Sequence, residues 1–298
     1  MDLQKLDKME ICTDEVKGRS CPLQVFTAGS GIPVIILHGA MMDHSMMAAC
    51  MEPVFEKIIG YKRFYLDLPG MGESNASIDF ASSDKILDIL SEFIKEYVPN
   101  GHFVLAGESY GGYLARGLLR DFGDRIGGMM LLCPVIEPVK ENRHVSEHKI
   151  LAHNFADEID IEKPMNKMYS NMFVIQNQYT YERFLSEILP GVQKTDKAFL
   201  ERLQKNGYEL TFPLPDTQKE FLFPVLIFMG RQDSCVGYHD ALKLIDSYSH
   251  STVIVADRAG HNLQIEQSEL FTRTTEDFFS GLLQYGSFLR YRKNVHHL

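Results

Sequence analysis

Residues 102–122, HFVLAGESYGGYLARGLLRDF, hold the pattern that decides the fold. A short β-rich run (102–107) leads into the glycine-rich turn Gly107-Glu108-Ser109-Tyr110-Gly111-Gly112, and a helical pattern (113–122) follows. A serine with a glycine two residues away on either side, set between strand and helix, has a physical reason. The chain must reverse sharply, which strains the backbone at the serine and leaves no room for side chains at the flanking glycines. The turn lifts the hydroxyl above the strand end. The N–H of Tyr110 then opens a helix, where it lacks an intrahelical partner and where the dipole favours a developing negative charge. Ser109 is therefore the candidate nucleophile, and the Tyr110 N–H is one candidate oxyanion donor.

The same alternation extends outward. Runs at 21–28 (CPLQVFTA), 33–37 (PVIIL), 62–67 (KRFYLD), 127–135 (GGMMLLCPV), 224–230 (PVLIFMG) and 251–256 (STVIVA) read as strands. Residues 84–97 read as a helix, with Ile86, Leu87, Leu90, Phe93, Ile94 and Tyr97 on one stripe and Ser83 as its N-cap. ALKLIDSY at 241–248 and the stretch from Leu263 to about Tyr285 are further helices. Short apolar strands alternating with amphipathic helices mean a mostly parallel sheet covered on both faces. The right-handed crossover rule brings the strand C-termini to one edge, where the ligand crevice of such sheets lies. Between Val135 and Phe223 the alternation stops. That stretch is helical in tendency and rich in Met, Phe and Tyr, and it reads as an insertion too long to lack structure of its own.

Three more positions fall on the same edge. His38-Gly39-Ala40 follows the strand PVIIL, and this loop commonly supplies a second oxyanion N–H. We assign it to Ala40, with Met41 as the alternative donor; His38 reads as structural. Asp233 follows the strand PVLIFM, and His261 follows STVIVA. The order Ser…Asp…His is the one expected for this architecture. A serine hydroxyl is a poor nucleophile until a base takes its proton, and a carboxylate fixes the tautomer of that base and stabilises its cation. His261 is thus the candidate base and Asp233 the candidate acid.

Composition narrows the function classes. The chain has 298 residues, 45% hydrophobic and 23% charged, which are globular values. At this length folding buries about three quarters of the unfolded surface, so neither disulfide nor metal is needed as a staple. Thirty basic against 40 acidic residues give a net charge of −10, which argues against a nucleic-acid partner. The basic run Arg290, Arg292, Lys293 reads as a frayed, solvated tail. Five cysteines, an odd number without a C-x-x-C pair, fit reduced thiols, and Cys133 in an apolar run reads as buried filler. The charged start MDLQKLDKME leaves no room for a signal peptide, and no apolar run is long enough to span a bilayer. The expectation is a cytoplasmic protein acting on a small molecule, with no membrane span and with a homodimer left open.

These motifs together resemble the capped branch of the α/β-hydrolase superfamily, from about Cys21 to Leu283. Asp67-Leu68-Pro69-Gly70-Met71-Gly72-Glu73-Ser74 is similar to the family's D-x-x-G-x-G-x-S loop, which is mainly structural. The resemblance implies a mostly parallel sheet of about eight strands with a helical cap inserted after the sixth, and no cofactor. The domains are then 1–134 with 224–298 as the core and 135–223 as the cap, with Met168, Met172 and Phe173, together with Met41, as candidate substrate-lining residues. Some members place the acid after the sixth strand, where Glu137 stands; Asp233 is preferred. The fold hosts many chemistries. Ester, thioester or amide cleavage through an acyl-enzyme on Ser109 is the leading reading. A proline-iminopeptidase-like peptidase, although the loop lacks that group's HGGPG, and a carbon–carbon bond hydrolase remain alternatives.

Two rivals are weaker. His144-Val145-Ser146-Glu147-His148 spells H-x-x-E-H, which on a helix would offer two zinc ligands and a base, but no third ligand is identifiable. A non-catalytic, receptor-like use of the fold generally loses a member of the catalytic set, and none is missing here.

Overall fold

The computed structural model describes residues 6–13, 21–155 and 163–295. Its centre is an eight-stranded sheet in the order β1-β2-β4-β3-β5-β6-β9-β10. The strands are β1 (Asp7–Thr13), β2 (Cys21–Gly29), β3 (Ile32–Leu37), β4 (Tyr61–Leu66), β5 (Phe103–Glu108), β6 (Ile126–Leu132), β9 (Val225–Gly230) and β10 (Ser251–Ala256). All neighbouring pairs from β4 to β10 are parallel, while β2 runs antiparallel to both β1 and β4. The sheet is therefore mostly parallel, with its antiparallel part at one edge.

Strand order locates the crevice. From β3 the chain passes through α1 (His44–Phe55) to β4 on one side, then through α2 (Ser83–Tyr97) to β5 on the other side of β3. The loops leaving β3 and β5 thus diverge at a reversal of strand order, where open α/β sheets bind ligands. The register sets the two strand ends side by side, with Leu37 opposite Gly107. β5 and β9 are buried at every position, as strands covered on both faces must be.

Several elements differ from the sequence reading. α1 is absent from it because the helix is buried on nearly every side and carries Pro53, so it shows no amphipathic stripe. Ser82, not Ser83, caps α2. The Ser83 hydroxyl instead lies 2.8 Å from the Tyr110 hydroxyl and donates to the Tyr208 carbonyl at 2.6 Å. The helix after the serine turn begins at Tyr110, as α3 (Tyr110–Gly117), and continues as the short α4 (Leu119–Phe122). Residues 241–247 are a 3₁₀ helix. The last helix is broken at Gln267 into α9 (Leu263–Glu266) and α10 (Ser268–Val295), so the backbone of the basic tail is helical rather than frayed. Its side chains, like those of Cys12 and Cys21, lie outside the described residues.

The stretch between β6 and β9 is not wholly helical. It contains α5 (Pro164–Met172), α6 (Gln178–Arg183), a π-helical turn (Phe184–Ile188), α7 (Leu189–Lys194) and α8 (Lys197–Asn206). Two three-residue strands, β7 (Ala152–Asn154) and β8 (Ile175–Asn177), pair in parallel within it. Strands this short show no period, and their partners are separated in the chain by a whole helix, so no local signal marks them. The insertion's own core is aromatic: the Tyr169 ring packs on Phe173, Tyr181 and Phe184, with centroids 4.9, 5.0 and 5.5 Å away. No helix among the described residues is long and apolar enough to cross a membrane.

Candidate active site

Ser109 sits between β5 and α3 with φ 51° and ψ −114°, a conformation that costs an L-residue about 1–3 kcal/mol. The surroundings over-determine it. The Ser109 N–H donates to the Leu132 carbonyl at 2.9 Å, and the Ser109 carbonyl accepts from Tyr113 and Val135 at 3.2 and 3.0 Å. The flanking glycines are sterically required. A Cβ on Gly107 would lie 2.4 Å from the Gly111 carbonyl oxygen, and one on Gly111 would lie 2.4 Å from that of Leu37.

Three loops converge on this serine. Asp233 follows β9 and is almost fully buried; its Oδ1 accepts the N–H groups of Cys235 and Val236 at 2.8 and 3.0 Å. Its Oδ2 lies 2.8 Å from His261 Nδ1, and His261 Nε2 lies 2.9 Å from Ser109 Oγ. A carboxylate only accepts, so Nδ1 carries a proton, and in the neutral ring Nε2 is left to accept from the Ser109 hydroxyl. Burial pushes the Asp233 carboxyl up, but the His261 charge and the two backbone N–H groups outweigh it and hold the group below the usual carboxylate range. Burial would lower His261; the charges of Asp233 and Cys235 outweigh it and raise the ring well above its ordinary value. The arrangement can hold an imidazolium beside a serine oxygen, which is what proton transfer from that serine demands.

Glu137 does not reach the histidine. Its Oε1 accepts the Val139 N–H at 2.9 Å within its own turn. The carboxylates on the His261 ring, among the described residues, are Asp233 and Glu108, the latter with Oε1 3.2 Å from Nε2.

The loop after β3 carries Ala40 and Met41, and Met41 has φ 71°, a left-handed value unusual for a non-glycine residue. His38 is buried and structural. Its Nε2 accepts the Leu68 N–H at 2.9 Å, so its Nδ1 carries the proton and donates to the Gly39 carbonyl at 2.7 Å. Burial lowers its basicity, which keeps that neutral form. Asp67 anchors the neighbouring loop, with Oδ1 accepting the His44 N–H at 2.7 Å and Oδ2 the Glu73 N–H at 2.8 Å.

His144 and His148 share no helix. His144 Nδ1 lies 2.8 Å from Asp240 Oδ1, and His148 Nε2 lies 3.0 Å from the Ser170 carbonyl oxygen. The H-x-x-E-H spacing therefore does not place two ligands on one face. The ligating atoms of Cys133, Asp233 and His261 do lie within 4.8 Å of one another. Two of these groups already bond each other, and burial pushes the Cys133 thiol far above its ordinary value, away from the thiolate that metals need.

The insertion touches each of the loops that build this site. Glu266, in α9, accepts the N–H groups of Val174 and Ile175 at 2.6 and 3.1 Å through Oε1, and that of Gly260 at 2.6 Å through Oε2. Asn262 donates to the Met172 carbonyl at 3.1 Å. The loop bearing His261 is thus fastened to α5 and β8. Arg143 donates to the Cys235 carbonyl at 3.2 Å, beside Asp233. Gly191 in α7 sits so close to the β3 loop that a Cβ there would be 2.6 Å from the Asp43 nitrogen. The Tyr208 ring packs on Tyr110, 4.7 Å away. Phe173 has no exposed surface, whereas Met41, Met168 and Met172 are half-buried. Sequence reasoning missed Glu108, Glu266 and Asn262 as site residues. The one available signal was a carboxylate at the end of an otherwise apolar strand, at Glu108.

Comparison with known proteins bears on the fold and the family. A crystal structure of an alpha/beta superfamily hydrolase from Oenococcus oeni PSU-1 is 34% identical, covers 92% of this chain and 99% of its own, and superposes with a TM-score of 0.82. An esterase from Exiguobacterium antarcticum, 18% identical, shares the fold with a TM-score of 0.70 over 91% of this chain and 99% of its own. Among curated proteins, the 2-hydroxy-6-oxo-6-(2'-aminophenyl)hexa-2,4-dienoic acid hydrolase of Metapseudomonas resinovorans is 22% identical over 85% of this chain and 86% of its own. Residues 32–268 match the serine aminopeptidase S33 family, and the chain belongs to it as an α/β-hydrolase enzyme.

Proposed function

We propose that this hydrolase cleaves an ester, thioester or amide of a small to medium apolar substrate through an acyl-enzyme on Ser109. The observation that carries the reading is the continuous chain Ser109 Oγ, His261, Asp233, with links of 2.9 and 2.8 Å at the reversal of strand order. Ser109 attacks the carbonyl as His261 takes its proton. The N–H groups of Tyr110 and Ala40 hold the oxyanion, and His261 then protonates the leaving group and activates the water that releases the acid. Neither step needs a cofactor. Asp233, not Glu137, orients the base.

Residues 135–223 serve as the cap over the core formed by 1–134 and 224–298. Their bonds to the loops after β3, β9 and β10 support this role. Met41, Met168 and Met172 are the candidate lining, since each keeps some exposed surface and methionine adapts to irregular apolar ligands. Phe173, expected from the sequence to line the pocket, is fully buried in the aromatic core of the insertion and is not part of that lining. The substrate is a small molecule met in the cytoplasm. Carbon–carbon bond cleavage is the second reading, supported by the likeness to the 2-hydroxy-6-oxo-6-(2'-aminophenyl)hexa-2,4-dienoic acid hydrolase, 22% identical.

A panel of p-nitrophenyl esters of increasing acyl length, beside a vinylogous 1,5-diketone, tests both readings. The expected result is ester turnover with a preferred chain length, reduced at least about 10⁴-fold in Ser109→Ala. Turnover retained by Ser109→Ala, or lost to a chelator and restored by zinc, would overturn the serine mechanism.

A further inference from the structure

Glu108 stands immediately before Ser109, where strand β5 ends, and only 3% of its surface is exposed. A buried carboxyl here is costly unless something needs it. Its two oxygens face two parts of the site. Oε1 lies 3.2 Å from His261 Nε2, the nitrogen that also faces Ser109 Oγ. The Gly39 N–H bonds the same carboxyl, and a Cβ on Gly39 would come within 2.1 Å of Oε2. The side chain thus bridges the loop after β3 to the histidine loop after β10.

We propose that Glu108 is a positioning residue that shares one proton with His261 and so sets the lowest pH at which Ser109 is activated. The proposal rests on the Ser109–His261 reading above. With the pair singly protonated, the proton sits on Nε2, its N–H is divided between Ser109 Oγ and Glu108 Oε1, and Nδ1–H donates to Asp233. That imidazolium cannot accept a proton from the serine. Loss of one proton to solvent frees the Nε2 lone pair for the Ser109 hydroxyl and leaves Glu108 ionised. When Ser109 attacks, its proton moves to Nε2, and the imidazolium then stands between two carboxylates. The same proton passes next to the leaving group, so the cycle balances.

Around Glu108 the influences oppose one another, and burial outweighs the rest. Burial pushes its carboxyl up to about 7, the positive charge of His261 pulls it down, the charge of Asp233 raises it and the Gly39 N–H lowers it. Cys133 after β6 and Cys50 on α1 also feel the Glu108 charge, and burial raises both thiols, so they remain neutral neighbours. Cys235 faces His261 from the β9 loop and is lowered chiefly by the histidine charge.

The test is the pH dependence of kcat/KM for a p-nitrophenyl ester and of Ser109 labelling by an organophosphonate, in the wild type, Glu108→Gln and Glu108→Asp. Removing an opposite charge at this distance should move the acid limb of Glu108→Gln down by about 1–3 pH units, while its plateau falls about ten- to a hundredfold. Glu108→Asp should keep a limb near that of the wild type. An acid limb that is unchanged in Glu108→Gln, with only the plateau lowered, would overturn the proposal and leave a packing role. Should Glu108→Gln not fold, NMR of the wild type decides. The His261 ring nitrogens should titrate at the midpoint of the acid limb, and the Glu108 carboxyl carbon should shift at that same midpoint as its N–H partner loses the proton; a Glu108 carbon that shows no response there would overturn the proposal. Wild-type protein whose Ser109 is labelled at no pH would instead remove the serine reading, and this one with it.

Discussion

Ser109 and Asp233 follow strands buried along their whole length, whereas the insertion that lies on them is held by a few side chains reaching for backbone. On the core side, β5 and β9 carry their loops to one edge in fixed register, and neighbouring strands pin the serine turn. On the insertion side, two three-residue strands, an aromatic cluster and the Glu266 carboxylate do the holding. The difference teaches where each property resides. On this account the sheet positions the Ser109 and Asp233 loops, while the proposed role of the insertion is to offer a surface to the substrate. The link between the two is the histidine loop, since Glu266 and Asn262 tie it directly to α5 and β8.

The comparison predicts effects of different kind and size. The largest belongs to the core. Asp233→Asn should lower kcat by about 10⁴, because the amide can donate to Nδ1 and so turn the imidazole to the wrong tautomer. Glu137→Gln should change kcat little, since the Glu137 carboxylate accepts the Val139 N–H within its own turn. Equal losses in the two variants, measured by steady-state kinetics, would move the acid role away from Asp233. Smaller effects belong to the insertion, and they should split. Phe173→Ala removes a fully buried ring from the aromatic cluster and should cost about 3–5 kcal/mol, read as a lower Tm, with acyl preference nearly unchanged. Met172→Ala should leave Tm close to that of the wild type and shift the preference between short and long acyl chains by about tenfold. A preference shift in Phe173→Ala without loss of stability would break the distinction between cap core and cap lining.

The same contrast explains what the sequence reveals. The serine turn is legible because its requirements act within six residues: sterics impose Gly107 and Gly111, and strand and helix flank them. Asp233 and His261 are legible one step later, through strand order, since each follows an apolar run that ends at the same edge. α1 leaves no stripe because nearly all of it is buried, and β7 and β8 are too short to show a period. The Glu108–His261 contact is hidden for another reason. It joins residues more than 150 positions apart, and it depends on how the loop after β10 returns to the middle of the sheet. The insertion is legible as an interruption of the β–α pattern but not as a structure, because its helices are too short to specify themselves.

The central claim is that Ser109 is the activated nucleophile, and covalent labelling tests it most directly. Active protein treated with a serine-directed organophosphonate, digested and mapped by peptide mass should carry the label on the peptide containing Gly107-Glu108-Ser109-Tyr110-Gly111, at Ser109 and at no other serine. A label on another serine, or fully active protein that takes none, would contradict it.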